Sequence, residues 1–217
     1  PNRADEVVHY PGTYIAGVYN SLPSVVFRKT ITNNDLANCP NWLLVELAIE
    51  NGKFRSPLEF ELLDYRHVLD IRTAVMSRHL TFKDRKGRIT TIVSERLASM
   101  ADPHLGAIRF TVRPENWSGQ IKLRSSLDGT VINYGVPRYR ELNSKHLTPI
   151  SVSESEGAIN LEVQTVTSKI RIYMQARHAL LRDGKAAKCR RQVDHDVGLI
   201  RETFALSARE AQEYTLE

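Results

Sequence analysis

Residues 94–119 (SERLASMADPHLGAIRFTVRPENWSG) bring together groups that can move protons or hold charge: Glu95, Arg96, Ser99, Asp102, His104 and Arg109. A glycosidic bond is broken by an acid together with a base or nucleophile in a shaped pocket. Glu95 and Asp102 flank one turn and could approach each other for that work. Arg96, Arg109 and Arg113 lie beside them, so the same carboxylates are equally suited to ion pairs that brace the turn. No other spacing in the chain marks a carboxylate pair.

Other chemistries are poorly represented. There is no G-x-S-x-G, no P-loop and no H-E-x-x-H, which removes the familiar nucleophile, phosphate and zinc signatures. Seven histidines and two cysteines are present, and Cys39 and Cys189 lack metal-type spacing. Asp194-His195-Asp196 is the one ligand-like run. In a strand such neighbours point to opposite faces, so a solvated loop is expected there and no metal site. Asn116-Trp117-Ser118 fits a glycosylation acceptor, but no signal-peptide pattern opens the chain. Trp42, Trp117, Tyr14, Tyr19, Tyr65, Tyr134 and Tyr139 are the aromatic groups on which a sugar ring could stack, with Trp42 expected in the core.

The elements that must position these groups read as strands. Ser94–Ala98 ends one and residues 104–113 form the next, with Ile108, Phe110 and Val112 alternating with Arg109, Thr111 and Arg113. Pro114 ends the ladder. Residues 43–50 and 53–62 are expected to form a hairpin about Asn51-Gly52, and residues 120–127 and 130–134 a second about Asp128-Gly129. Residues 68–82 read as one long strand with a bulge or bend near Thr73-Ala74. Residues 158–165, 169–180 and 198–206 add three more, and Tyr214–Leu216 a last one. Residues 21–40, 135–148, 151–156 and 182–196 read as turns and loops. With roughly ten to twelve strands and no long amphipathic helix, the expectation is an all-β fold, a large antiparallel β-sandwich.

Composition agrees with a globular chain: 217 residues, 41% hydrophobic and 25% charged. No run approaches the ~18 apolar residues of a membrane helix, so no membrane partner is expected. The net charge is +5 and the pI about 9.3. The basic residues are scattered apart from KAAKCRR at 185–191, which argues for a solvated surface and against a nucleic-acid partner. Two distant cysteines fit a reducing, cytoplasmic setting.

Five segments, taken in order, resemble the N-terminal domain of glycoside hydrolase family 65, the maltose, trehalose and kojibiose phosphorylase group. They are residues 11–20 (PGTYIAGVYN), 39–44 (CPNWLL), 63–78 (LDYRHVLDIRTAVMSR), 94–105 (SERLASMADPHL) and 123–145 (LRSSLDGTVINYGVPRYRELNSK). The resemblance implies a galactose-mutarotase-like super-sandwich ahead of a helical linker and an (α/α)6-barrel. In that family the acid is a barrel glutamate, and phosphate or water attacks the anomeric carbon with inversion. Residues 1–217 are then expected to be one non-catalytic domain of a longer enzyme, its first strands incomplete and the barrel absent. No catalytic residue carries over. The expected partners are its own barrel, a second subunit and the disaccharide, with inorganic phosphate as co-substrate of a phosphorylase and no other cofactor. Tyr65, Arg66, Asp70, Arg72, Arg78, Glu95, Arg96, Asp102 and His104 are the candidates for an interdomain face, on the expectation that one sheet face is apolar and the other charged. Residues 21–38 and 135–148 are the candidates for reaching the active-site mouth. An independent carbohydrate-binding module is the alternative.

Overall fold

A computed structural model describes residues 10–134 and 142–217. Among these the only helical element is a 3-10 turn at Pro57–Glu59, and sixteen strands form the remainder of the regular structure. In chain order they are β1 (Tyr19–Val26), β2 (Lys29–Leu36), β3 (Asn41–Ile49), β4 (Glu61–Asp70), β5 (Val75–Lys83), β6 (Ile89–Ala98), β7 (Gly106–Pro114) and β8 (Gly119–Asp128). Then come β9 (Leu147–Ser155), β10 (Ala158–Thr165), β11 (Arg171–Arg177), β12 (Leu180–Arg182), β13 (Lys185–Ala186), β14 (Arg190–Asp196), β15 (Leu199–Ala208) and β16 (Tyr214–Leu216).

A seven-stranded sheet, β13-β12-β16-β7-β6-β5-β4, packs on a four-stranded one, β14-β15-β8-β3. Alternation decides what meets between them. Leu80, Phe82, Ile92, Phe110, Val112, Tyr214 and Leu216 on the larger sheet face Val45, Leu47, Ile121, Leu123, Phe204 and Leu206 on the smaller. Each fully buried Phe or Leu contributes roughly 1.5–3 kcal/mol. A three-stranded sheet, β11-β10-β9, closes a second core of Ile159, Leu161, Val163, Leu147 and Ile172 against Leu127, Ile200 and Val131. The sandwich expected from sequence is therefore present.

Several local expectations are corrected. Residues 21–40 are no irregular connection: β1 and β2 form a hairpin through Phe27 and Arg28, both at positive φ. Asn51-Gly52 does not join a hairpin, because β3 pairs with β8, and the chain crosses through the Pro57–Glu59 turn to the other sheet. Asp128-Gly129 likewise leads out of the sheet; residues 130–134 are not a strand, and β8 lies between β3 and β15. Residues 68–82 are two strands, β4 and β5. The turn between them is set by Asp70 Oδ1, which accepts from Arg72 N–H at 2.9 Å, and by Ala74 at φ 57°. The bulge falls between Leu62 and Asp64 instead. Residues 151–155 belong to β9, residues 169–180 are divided between β11 and β12, and residues 182–196 hold β13 and β14. The expectations for residues 135–141, including Tyr139, lie outside the described residues.

The two main sheets differ in width. The smaller ends at β3, whereas the larger continues through β6 and β5 to β4, which is exposed along its whole length. An uncovered strip of inner sheet results, and of the sequence-nominated residues Tyr65, Arg78 and Arg96 lie on that face.

Candidate functional site

Strand register sorts the nominated residues. His67 lies opposite Arg78, Met76 opposite Arg96, and Leu80 opposite Ile92. Leu80 and Ile92 are core residues, so Arg78, Arg96, His67 and Tyr65 share the inner face with them. Arg66, Asp70 and Glu95 point outward. Arg72 sits in the β4–β5 turn, and Asp102 and His104 in the β6–β7 turn, all three exposed. The nine candidates thus divide between two faces and two turns, and the pattern of one apolar and one charged face does not hold across this sheet.

Glu95 and Asp102 have separate partners. Arg109 Nη1 lies 3.6 Å from Glu95 Oε2, while its Nε donates to Glu217 Oε1 at 2.7 Å. Asp102 Oδ1 accepts from His104 N–H at 2.9 Å, and Asp102 N–H donates to Ser99 Oγ at 3.0 Å. These groups brace strand and turn rather than form an acid–base pair. Asp194-His195-Asp196 lies at the end of β14 and not in a loop: Arg201 on β15 donates to both carboxylates at 2.8 Å. No group of three or more His, Cys, Asp or Glu among the described residues is placed to hold a metal. Asn116 is hydrogen-bonded into its turn, accepting from Ile89 N–H and donating to Gly87 O. Trp117 is buried, and Trp42 packs against Gly106, where a Cβ would stand 2.6 Å from its ring. Among the described residues the exposed aromatic rings are Tyr14, Tyr19, Phe27, Tyr65 and Tyr173.

Two concavities bear on these residues. The larger, about 220 Å³, opens at the β3 edge, with Val45, Leu47, Phe60 and Phe82 below and Lys53, Arg55, Arg85 and Arg88 at the rim. The Arg88 charge there is satisfied. Arg88 pairs with Asp84 at 2.6 Å and with Glu50 at 3.0 Å. Burial alone raises the Asp84 carboxyl, but hydrogen bonds from Arg88 and Lys86 more than offset it and hold it below the usual carboxylate range.

The smaller concavity is the uncovered strip itself, lined by Leu43, Val45, His67, Met76, Arg78, Ser94, Arg96, Ile108 and Phe110. Arg96 Nη2 reaches Met76 Sδ at 2.9 Å. Arg78 Nε is buried with no hydrogen-bond partner among the described residues. The His67 imidazole is held below its ordinary pKa by the part of its ring against the sheet and by the charges of Arg78 and Arg96. Burial and then the neighbouring Arg78 act on Arg96 in the same downward direction. Three groups able to carry positive charge therefore converge on one concave face. His67 was not among the nominated residues. Only the β4–β5 register sets it opposite Arg78, and that register depends on a full turn at 71–74 where the sequence pattern suggested a bulge or bend within one strand.

Comparison with known proteins gives the chain its relatives. The family described as glycosyl hydrolase family 65, N-terminal domain, matches residues 2–217. An "uncharacterized glycosyl hydrolase" of Mycobacterium tuberculosis is 40% identical over all 217 residues, which are 16% of that protein's length. A kojibiose phosphorylase of Caldanaerobacter subterraneus is 34% identical over 163 residues, 75% of this chain and 20% of that one. A solved structure assigned as a kojibiose phosphorylase from the human microbiome superposes with a TM-score of 0.76 at 17% identity, covering 94% of this chain and 25% of that one. The chain spans a quarter or less of the length of each.

Proposed function

Since the chain belongs to glycosyl hydrolase family 65 as its N-terminal domain, we propose that it is the non-catalytic support of an enzyme acting on α-glucosidic disaccharides by phosphorolysis or hydrolysis. Its work is to brace the catalytic barrel, to shape the barrel's entrance and to help join two subunits in a cytoplasmic homodimer. Inorganic phosphate is the co-substrate if the reaction is phosphorolysis. The disaccharide is bound and cleaved outside these residues.

One observation carries this reading. Strand β4 is an edge strand exposed on both faces, and it and the turn after it present Leu62, Leu63, Tyr65, Val68, Leu69 and Ile71 to solvent, Ile71 at 88% exposure. An unprotected apolar edge invites uncontrolled pairing, and proteins cover such edges. Met100 and Leu105 extend the patch at the β6–β7 turn. Covering by the remainder of a longer polypeptide satisfies both the exposed edge and the small share of the relatives' length that the chain represents.

The test is made in the full-length protein. Leu69→Asp, and separately Arg72→Ala with Arg96→Ala, are expected to lower activity and weaken subunit association while the 217-residue chain carrying them keeps its fold. Unchanged activity and association would overturn the proposal. Calorimetry of the 217-residue chain with maltose, trehalose and kojibiose is expected to show no binding; measurable binding favours a carbohydrate-binding module.

A further inference from the structure

The basic cluster on the inner face has a chemistry of its own. Arg78 and Arg96 project from adjacent strands on one face, with His67 across from Arg78 and Ser94 in the same lining. Like charges gathered at a partly desolvated surface repel one another: Arg78 and Arg96 both act on His67, and Arg78 acts on Arg96. Arg78 forms no ion pair among the described residues, and its buried Nε–H is left without an acceptor. A buried donor without an acceptor is costly, and a planar guanidinium is best satisfied by an oxyanion taking two parallel N–H bonds.

We propose that this strip is an oxyanion site in which Arg78 and Arg96 clasp a phosphate or carboxylate group, with Ser94 and His67 beside it. The enclosed part of the concavity is only about 10 Å³, about the space of one water-sized atom. One anion oxygen therefore sits inward against Arg78 and the rest of the group faces the open side. The oxyanion has two possible sources: free inorganic phosphate, or an Asp or Glu side chain of the same polypeptide beyond the described strands. The second source rests on the docking reading above; the first stands without it.

Isothermal titration calorimetry with inorganic phosphate at constant ionic strength separates them. It is run on the full-length protein and on the 217-residue chain, once circular dichroism has shown that chain to melt cooperatively. For a free anion, both bind phosphate, and R78Q/R96Q removes one phosphate per chain or weakens that site about tenfold or more. For a side-chain carboxylate, the 217-residue chain binds phosphate through these arginines. In the full-length protein R78Q/R96Q then leaves phosphate stoichiometry unchanged but lowers Tm. R78K/R96K keeps the charge without the fork, and weaker binding by it than by the parent identifies two-point contact even if R78Q/R96Q misfolds. Phosphate binding to the 217-residue chain that is absent, or that neither double variant changes, overturns the proposal.

Discussion

Replacing His178 by Ala should cost more than any other single change around the buried carboxylate of Glu202. Glu202 lies in β15 with no exposure, its Oε2 accepting from His178 Nδ1 at 2.7 Å and its Oε1 held by Arg191 from β14. Both partners also rest on Phe204: the His178 ring is 5.4 Å away edge-on, and the Arg191 guanidinium lies 5.6 Å over it. The His178 side chain is 6% exposed and that of Arg191 43%. Removing His178 therefore strips one carboxylate oxygen of its donor where water enters with difficulty. Removing Arg191 vacates a position that water can reach. Breaking a buried pair costs about 3–5 kcal/mol, so His178→Ala should cost about 3 kcal/mol with Arg191 still in place, and Arg191→Ala about 1–2 kcal/mol. For a domain of this size the first is a fall in Tm of roughly 6–12 °C.

The same site sets an acid limb. Burial pushes the Glu202 carboxyl up, but the hydrogen bonds and charges of His178 and Arg191 win and hold it below the usual glutamate value of 4.5. A depressed carboxyl contributes stability in full above its unfolded value and loses it as pH falls through the folded one. His178→Ala should therefore flatten the stability profile below about pH 4.5. Calorimetric melting of the 217-residue chain between acid and neutral pH reads both effects. A loss under about 1 kcal/mol for His178→Ala, or a larger one for Arg191→Ala, refutes the reasoning.

Three further outcomes are expected. Gly198, at φ +74°, would place a Cβ 2.5 Å from Pro149 Cγ; Gly198→Ala should cost about 2–3 kcal/mol in urea unfolding, and a neutral result would contradict the β9–β15 packing. Arg124 donates twice to Glu46 Oε2, at 2.8 and 2.5 Å, and stacks 3.8 Å over Phe54; Arg124→Lys loses the fork and the stack and should cost about 1–2 kcal/mol, read as a lower midpoint at unchanged slope. Burial holds the His146 imidazole below its ordinary pKa of 6.5, with Asp35 pulling less strongly upward. Stability from the neutral ring is complete above about pH 6.5 and is lost as pH falls toward the depressed value. His146→Gln should remove that slope, and a profile unchanged between wild type and variant would rule it out.

What the sequence made legible follows from the range over which each signal acts. Ile108, Phe110 and Val112 alternate because one face of β7 meets the core, and that face could be read directly. β1 and β2 could not: the stripe that β1 buries is Asn20, Leu22 and Ser24, two of them polar, and the run Asn33-Asn34-Asp35 of β2 together with Pro23 resembles a loop. Asn51-Gly52 follows β3 as a genuine turn, whereas Asp128-Gly129 ends β8 without one; local chemistry cannot choose a partner, and β3 found β8 far along the chain. The candidate site shows the same division. Arg78 and Arg96 stood out by alternation, whereas His67 joined them only through register.

Amide hydrogen exchange across Glu61–Lys83 most directly tests whether the β4 edge has a cover. The 217-residue chain is compared with the full-length protein under the same conditions. Slower exchange along β4 and the β4–β5 turn in the full-length protein, with β8 and β15 unchanged, is the predicted result. Equal exchange of β4 in both would contradict the account of this domain as a docked support.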